Sequence, residues 1–444
     1  MEIVVCTCKN GGIGLNNTIP WKLIKEDMKL FRDLTVSNII IMGRKTKESL
    51  PNGSLPDRTN IVISNDPMTG ESWEAAMNHV AKVAKGKKVF IIGGESIYKY
   101  ALENLNVRKI HRSYIDVEYE CDTKFPDESA KGYRVGAYSI LNVNEKLTYS
   151  MFEKHNHEEY YYLWLLSELL KSPVRETRNA RCYTTFGKSL EFDLSNGSFP
   201  LLTTKKMFLR GVFEELKFFL LGKTQTKELE DIGVNIWKGN TCQEFLDKRN
   251  LSYEVGDMGP MYGYQWRNFN GQNHDQFAYV MKNLKENPMD RRHLMTSFNP
   301  LQAEAGVLWP CHGISIQFDC EPIASADTSG QPYQETFKLN CMMHQRSADT
   351  FLGLPFNIAS YSMMVIIMAN MLGYKPGRLI MTLGNVHLYE QHIEAAKTQL
   401  SRDPKPFPSL LCSRKFDNVE EIKFEDFALI GYEPHDKIEA PMIA

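Results

Sequence analysis

Residues 89–98 read VFIIGGESIY, an apolar run that breaks at Gly93 and Gly94 and passes into a helical pattern. A strand, a two-glycine turn and a helix in that order leave backbone N–H groups and a positive dipole end at the turn, an arrangement that suits a phosphate. A Gly-Gly pair after a strand is also common in ordinary turns. Working outward, β-branched runs recur at IVVC (3–6), NIIIMG (38–43), NIVIS (60–64) and KIHRSYID (109–116), separated by helical patterns. This alternation predicts an α/β domain with a mostly parallel central sheet.

Farther along, the texture changes. Helical segments such as RGVFEELKFFLLG (210–222) and SYSMMVIIMANMLG (360–373) interleave with strand patterns such as HGISIQFDC (312–320), which predicts an α+β domain. A chain of 444 residues exceeds what one core usually organises. The change falls at KHNHEEYYYLWLLSELL (154–170), giving domains 1–156 and 157–444. No Pro/Gly/Ser-rich linker lies there, so a fixed rather than tethered arrangement is expected. EPIASADTSGQPYQE (321–335) reads as a surface loop between two strands.

Composition narrows the function classes. With 43% hydrophobic and 24% charged residues and a formal net charge of −2, the chain fits a soluble globular protein and argues against a dedicated nucleic-acid binder. Any anion site must be local. The longest apolar stretch, Met363 to Leu372, is shorter than the roughly 20 residues that span a bilayer, so a buried helix is expected and no membrane partner. MEIVVCTCKNGG lacks a basic stretch before its apolar run and reads as a first strand rather than a signal peptide. Nine scattered cysteines show no metal spacing, which points to a reducing cytoplasm and no metal site.

Two segments carry candidate chemistry. In PWKLIKEDMKLFRDLT (20–35), Leu30, Phe31 and Leu34 follow Asp27 at helical spacing, so a helix would direct Asp27 inward. An inward carboxylate must find a partner or shift its pKa upward, and either state suits protonating or anchoring a nitrogen heterocycle. A capping or surface acid is the alternative, and Glu26 is the rival acid, less well placed on the stripe. In LWPCHGISIQF (308–318), Cys311 precedes an alternating strand. A small buried hydrophobe is the usual role of such a cysteine. A nucleophilic thiolate needs positive charge nearby, and Arg291, Arg292 and Arg346 offer it, with Ser347 as a further donor to a phosphate. Adjacent arginines also fit a solvated face.

The order of the blocks is more specific than any one of them. GGIGLNNTIPW (11–21), EDMKLF (26–31), IIMGRKTKESLP (40–51), LPDRTNIVIS (55–64), VFIIGGESIY (89–98) and SYIDVEYECDTKFP (113–126) closely resemble the dihydrofolate reductase family in sequence. That resemblance implies that Asp27 binds the pteridine and supports its protonation, with Phe31 and Ser113 in the same site. It implies that Ile13, Gly14 and the residues through Trp21 form a mobile loop over the nicotinamide of NADPH. Arg44, Lys45 and Thr46 would meet NADPH phosphates, with Ser64 and Asn65 near the 2′-phosphate. Gly93, Gly94, Glu95, Ser96 and Ile97 would cradle the pyrophosphate, Tyr98 would border the cofactor, and Arg58 would pair with the folate glutamate. Ser113 stands where the family often has threonine.

FPLLTTKK (199–206), RGVFEEL (210–216), NIW (235–237), GPMYGYQWR (259–267), RR (291–292), WPCH (309–312), HQRSADTFLGLPFNIASY (344–361) and GNVHLYEQH (384–392) resemble the thymidylate synthase family in order. The resemblance implies that Cys311 attacks carbon 6 of the uracil ring and activates the neighbouring carbon toward the methylene group of methylenetetrahydrofolate. Arg346 and Ser347 would hold the phosphate of dUMP, with Gln345 and His312 also in the substrate site. Arg291 and Arg292 would reach it from a partner subunit, which makes a homodimer through this half. Asn357 would read the pyrimidine edge, and His387 and Tyr389 the sugar. Glu215 would manage protons through ordered water, assisted by Tyr262, with Trp237 and Asp349 on the folate side. An amide offers a donor and an acceptor to a pyrimidine, and a neutral carboxyl can relay a proton. RETRNARCYTTFG (175–187) departs in register from the family's early phosphate loop; Arg178 is the expected contact, with Arg175 and Arg181 as rivals. Asn385 stands where an aspartate is common.

Together these halves imply synthesis that releases dihydrofolate and a reductase that returns it to tetrahydrofolate with NADPH. The alternative keeps the first half as a binding or structural module beside an active synthase.

Overall fold

A computed structural model describes residues 1–126, 132–177, 179–323 and 336–443. The first half contains strands β1 (Glu2–Cys8), β2 (Gly12–Gly14), β3 (Ile39–Gly43), β4 (Thr59–Ile63), β5 (Val89–Ile91), β6 (Lys109–Ile115), β7 (Thr123–Lys124), β8 (Tyr133–Asn142) and β9 (Leu147–Lys154). Its helices are α1 (Lys25–Thr35), α2 (Arg44–Ser49), α3 (Trp73–Val83) and α4 (Glu95–Asn104). Seven strands form one sheet in the order β4-β3-β5-β1-β6-β9-β8. The pairings from β4 through β6 are parallel, and β9 and β8 add an antiparallel edge.

The continuous apolar runs have a simple cause. A parallel sheet is covered on both faces, so its strands need apolar residues at odd and even positions alike. Ile3, Val5, Ile39, Ile41 and Ile91 pack on one face with Val80, Ile97 and Ala101 from α3 and α4. Val4, Ile40, Met42 and Phe90 pack on the other, with Phe31 and Leu34 of α1 against them. The predicted mostly parallel sheet is present.

The second half begins with α5 (His157–Leu169), β10 (Val174–Glu176), β11 (Arg181–Asp193), α6 (Leu209–Leu220), α7 (Lys227–Glu230), α8 (Gln243–Lys248), α9 (Gly263–Arg267) and α10 (Gln276–Glu286). It continues with β12 (Leu294–Met295), β13 (Ser315–Ile323), β14 (Thr336–Asp349), α11 (Gly353–Leu372), β15 (Lys375–Tyr389), α12 (Ile393–Leu400), β16 (Ser409–Cys412) and β17 (Phe427–Ile430). Six strands form a sheet in the order β10-β11-β15-β14-β13-β12, antiparallel except for β14 beside β15. Residues 321–323, expected in a loop, extend β13, and 324–335 lie outside the described residues. The apolar stretch read at 363–372 belongs to the longer α11, which is apolar and long enough to cross a membrane yet 83% buried inside this core. It stops at Gly373, whose φ of +75° is the left-handed conformation that ends a helix at little steric cost.

The two halves are joined by contacts that local sequence did not foretell. The β16–β17 hairpin leaves its own half and packs on α3, with Ile430 buried in the first domain's core cluster. Asn106 donates to the carbonyls of Phe407 at 2.9 Å and Pro408 at 3.2 Å. Glu433 accepts from Lys109 at 2.8 Å and from the buried Arg108 at 3.4 Å.

Candidate active sites

Asp27 lies in the first turn of α1, on the face that carries Leu30, Phe31 and Leu34, while Glu26 is exposed. Burial raises the Asp27 pKa, opposed by hydrogen bonds from Ser113 and Cys6. Those two residues are register partners on β6 and β1, so the sheet aims both at the carboxyl. Cys6 was not read as part of the site. Only the pairing of β1 with β6 brings it to Asp27. Arg58 is held by Thr35 Oγ1 at 2.8 Å and the Pro56 carbonyl at 2.6 Å, and its guanidinium carbon sits 5.9 Å from the Phe31 ring centre.

The glycine turn forms as its sequence suggests. Gly93 has φ +124°, and a Cβ there would come 3.3 Å from the Tyr98 hydroxyl. Gly94 caps α4, and its own Cβ would stand 3.5 Å from Thr46 Oγ1. The amides of Ile97 and Tyr98 are bonded back to Gly94 O, which leaves those of Glu95 and Ser96 at the helix start. The side chains of Ile97 and Tyr98 are buried in the core, with the Tyr98 hydroxyl donating to Val4 O at 2.9 Å, so neither side chain faces open space. The Glu95 carboxylate accepts from Lys124 N at 3.1 Å. Arg44 pairs with Glu48 at 2.7 Å, Lys45 is exposed, and Ser64 shares a 2.7 Å hydrogen bond with Thr69 beside exposed Asn65. Ile13 packs on the core edge, Gly14 pairs with Thr123, and Trp21 is buried against Ile24, Ile115 and Leu147.

In the second half the Cys311 loop is fastened from two sides. Its amide donates to the Tyr262 hydroxyl at 3.0 Å, and its carbonyl accepts from Ser347 N at 3.2 Å. Arg346 donates to Pro310 O at 3.1 Å and brings Nη2 to 4.0 Å from the Cys311 sulfur. A cation beside the sulfur is the neighbour that a nucleophilic cysteine needs. Tyr262 itself has φ +40°, a strained value for a residue with a side chain, held by full burial at the start of α9. It stacks on His312 at 4.3 Å, and His312 bonds the Tyr361 hydroxyl at 2.9 Å. Burial lowers the His312 pKa to about 3, so the ring is neutral near pH 7. Tyr361, four residues beyond Asn357 on α11, was also missed, although the helical period places both on one face.

Glu215 points from α6 into this core and accepts the Trp237 indole N–H at 2.8 Å. Burial raises its pKa to about 7, with the Trp237 bond opposing. A carboxyl poised there can give or take a proton at physiological pH. Asn357 Oδ1 accepts from Gln345 Nε2 at 3.0 Å, which fixes the amide and leaves its own N–H donors without a hydrogen-bond partner among the described residues. Asp349 Oδ1 caps the following turn through Phe351 N at 3.1 Å and Leu352 N at 3.3 Å. His387 and Tyr389 are buried side by side on β15, with Asn179 hydrogen-bonded to Tyr389. Arg178 lies outside the described residues; Arg181 pairs with Glu176 at 3.0 Å and Glu390 at 3.6 Å, and Arg175 is exposed. Arg291 and Arg292 are exposed before β12, Arg292 bonded to Asp290 at 3.0 Å.

Comparison with known proteins matches both halves of the chain to families. The family model described as dihydrofolate reductase matches residues 1–157, and the one described as thymidylate synthase matches 160–444. The chain is similar to the bifunctional dihydrofolate reductase-thymidylate synthase of Paramecium tetraurelia, 36% identical over 99% of this chain and 98% of that protein. It is likewise similar to bifunctional dihydrofolate reductase-thymidylate synthase 2 of Arabidopsis thaliana (35%, 99% and 88%) and to that of Leishmania major (33%, 99% and 94%). The chain belongs to the bifunctional dihydrofolate reductase-thymidylate synthase family.

Proposed function

We propose that Cys311 is the nucleophile and Glu215 the proton-handling carboxyl of the synthase site, and that Asp27 is the acid of the reductase site. The chain is a bifunctional enzyme that makes thymidylate from deoxyuridylate with methylenetetrahydrofolate and reduces the released dihydrofolate with NADPH. The observation that carries the residue assignments is the convergence on one loop of a thiol 4.0 Å from Arg346 and a tyrosine that fastens that loop beside a carboxyl with a pKa of about 7.

The chemistry follows from these groups. The Cys311 thiolate would bond to carbon 6 of uracil as the ring π pair moves to carbon 5. Carbon 5 would take the methylene carbon as that carbon's bond to a folate nitrogen breaks. Loss of the carbon 5 proton, hydride transfer from the folate to the methylene carbon and expulsion of the Cys311 thiolate would then leave thymidylate and dihydrofolate. Asn357 holds the pyrimidine edge with its N–H donors, Arg346 and Ser347 take the phosphate, and His387 and Tyr389 take the sugar. Neutral His312 and Gln345 fix the surrounding hydrogen bonds without adding charge. Trp237 and Asp349 border the folate side, and Glu215 exchanges protons there with Tyr262 beside it. Arg178 is the proposed early-loop phosphate contact.

In the reductase half, NADPH supplies hydride when bound. The close approach permitted at Gly93 and Gly94, the two open amides of Glu95 and Ser96, and the cations Arg44 and Lys45 with Thr46 fit its phosphates. Ser64 and Asn65 stand for the 2′-phosphate, and Ile13, Gly14 and Trp21 for the nicotinamide side. Ile97 and Tyr98 support the turn from within the core. Asp27 anchors the pteridine and holds the proton, Phe31 packs against the folate, and Arg58 meets its glutamate.

Dimerisation through the synthase half is the proposed assembly. Met342 alternates with buried Cys341 and Met343, so it faces away from α11, and pairs in register with Gln317 and Ile380 on an uncovered sheet face. Exposed Arg291, and exposed Arg292 beside Asp290, would serve a partner's phosphate site. Nine free thiols support a reducing compartment, with the cytoplasm as the proposed location. Asn156, which caps α5, supports a domain boundary between 156 and 157. Separate assays test the assignments: Cys311→Ala should lose thymidylate formation and keep reduction of added dihydrofolate, and Asp27→Asn should do the reverse. Loss of both activities in either variant would contradict them.

A further inference from the structure

We propose that Cys8 and Cys121 are a redox-responsive thiol pair whose closure to a disulfide clamps the arm that carries residues 13–21. Neither cysteine takes part in the chemistry assigned to the two active sites. Their sulfurs stand 3.7 Å apart, one at the end of β1 and the other just before β7. Gly12 makes the approach possible: a Cβ there would overlap the Cys121 sulfur and sit 3.0 Å from that of Cys8. Forming a bond of about 2.05 Å requires the sulfurs to close by only about 1.7 Å, within reach of side-chain rotation.

The bond would act on a lightly held segment. Gly12 and Gly14 of β2 pair with Lys124 and Thr123 of β7, and Asn16 N bonds Asp122 Oδ2 at 2.8 Å. Phe125 N reaches Gly11 O at 2.9 Å and Asp122 N reaches Gly14 O at 3.1 Å. Residues 16–19 are exposed, so backbone bonds rather than apolar packing hold the tip of this arm. A covalent tie between β1 and the segment entering β7 fixes the base of the arm.

The reaction balances as thiol–disulfide exchange with a small-molecule disulfide. Cys121, the less buried thiol, loses its proton and attacks one sulfur of that disulfide. The small S–S bond breaks and the departing thiolate takes up a proton. Cys8 then loses its proton, attacks the Cys121 sulfur and expels the second small thiol, so two electrons and two protons leave with two small thiols. Burial first, and then the neighbouring Cys8, push the Cys121 pKa up to about 11. The thiolate fraction, and with it the rate, therefore grows about tenfold per pH unit below that value.

The test treats the reduced full-length protein with glutathione disulfide, maps peptides without reduction and measures amide exchange over residues 12–18. Expected are a Cys8–Cys121 linked peptide that forms about tenfold faster per pH unit, slower exchange in that segment, and reversal by dithiothreitol. Cys8→Ser and Cys121→Ser should each abolish the link and the slowing. Glutathione retained on Cys121, a Cys6–Cys8 link, or unchanged exchange after linking would overturn the proposal. An effect on reductase turnover rests on the loop reading above; oxidised protein should turn over at least twofold more slowly. If the reduced protein showed no turnover, that reading would fail, while the peptide map and exchange would still decide the thiol pair.

Discussion

Trp237 donates its indole N–H to Glu215 Oε1 at 2.8 Å, the one hydrogen bond to that carboxyl among the described residues. One donor does not offset burial, and the pKa stays near 7. Glu215→Gln is expected to lower the synthase kcat by about 100-fold or more, the size of a lost general acid or base, with dihydrofolate reduction unchanged. Trp237→Phe removes a bond that favours the ionised form, so the pKa read from kcat against pH should rise, by roughly one unit.

The same group gives a stability test. Its folded pKa is raised above the ordinary 4.5, so its favourable contribution is present below pH 4.5 and is lost as pH rises through about 7. Glutamine has no charge to desolvate. Glu215→Gln should therefore gain Tm relative to the parent above pH 7 and show no gain near pH 4. Equal pH dependence of Tm in the two proteins would remove burial as the cause of the shift.

Asp27 is governed by two donors on neighbouring strands. Burial raises its pKa, and the hydrogen bonds from Ser113 and Cys6 hold it down. Ser113→Ala is expected to move the pKa controlling reductase kcat/KM upward by roughly one unit, from the loss of a hydrogen bond to a charged group. A Cys6→Ala variant should move it the same way. An unmoved profile in both would mean that neither donor tunes the acid.

These donors mark what sequence reading reaches. The position of Asp27 followed from spacing on one helix, and the parallel sheet followed from the alternation of strand and helix patterns. The pairing of Cys6 with Ser113 required the β1–β6 register, a long-range relation that local periodicity does not contain. The same holds for Glu433, whose partners lie in the other half of the chain. Tyr361 is different, since its spacing from Asn357 was readable and only its partner His312 was not. Ile97 and Tyr98 followed the glycines in the motif, but the first helical turn directs their side chains inward.

Asn357 is held by Gln345 through Oδ1, which leaves its N–H donors for a ligand. An acceptor such as the uracil carbonyl matches those donors, whereas an exocyclic amine does not. Asn357→Ala is expected to lower kcat/KM for deoxyuridylate by roughly tenfold to a hundredfold, the worth of a site-defining hydrogen bond, with little change in Tm. A large fall in Tm with normal kcat/KM would assign Asn357 to structure instead.

Glu433 joins the two halves through Lys109 and the buried Arg108. Despite its burial, those cations lower its pKa below 4.5, so its stabilising contribution is present above that value and is lost as pH falls through the folded pKa. Glu433→Gln should cost about 1–3 kcal/mol at pH 7, since it leaves a buried guanidinium short of a counter-charge, and much less in strong acid. Chemical unfolding at the two pH values measures the difference.

The central claim is that one chain makes dihydrofolate at Cys311 and consumes it at Asp27. The direct measurement supplies deoxyuridylate, methylenetetrahydrofolate and NADPH, with no added dihydrofolate, and follows NADPH oxidation. Oxidation should require deoxyuridylate and disappear in Cys311→Ala, which should still oxidise NADPH when dihydrofolate is added. Thymidylate accumulating without NADPH oxidation, or oxidation that ignores deoxyuridylate, would contradict the account.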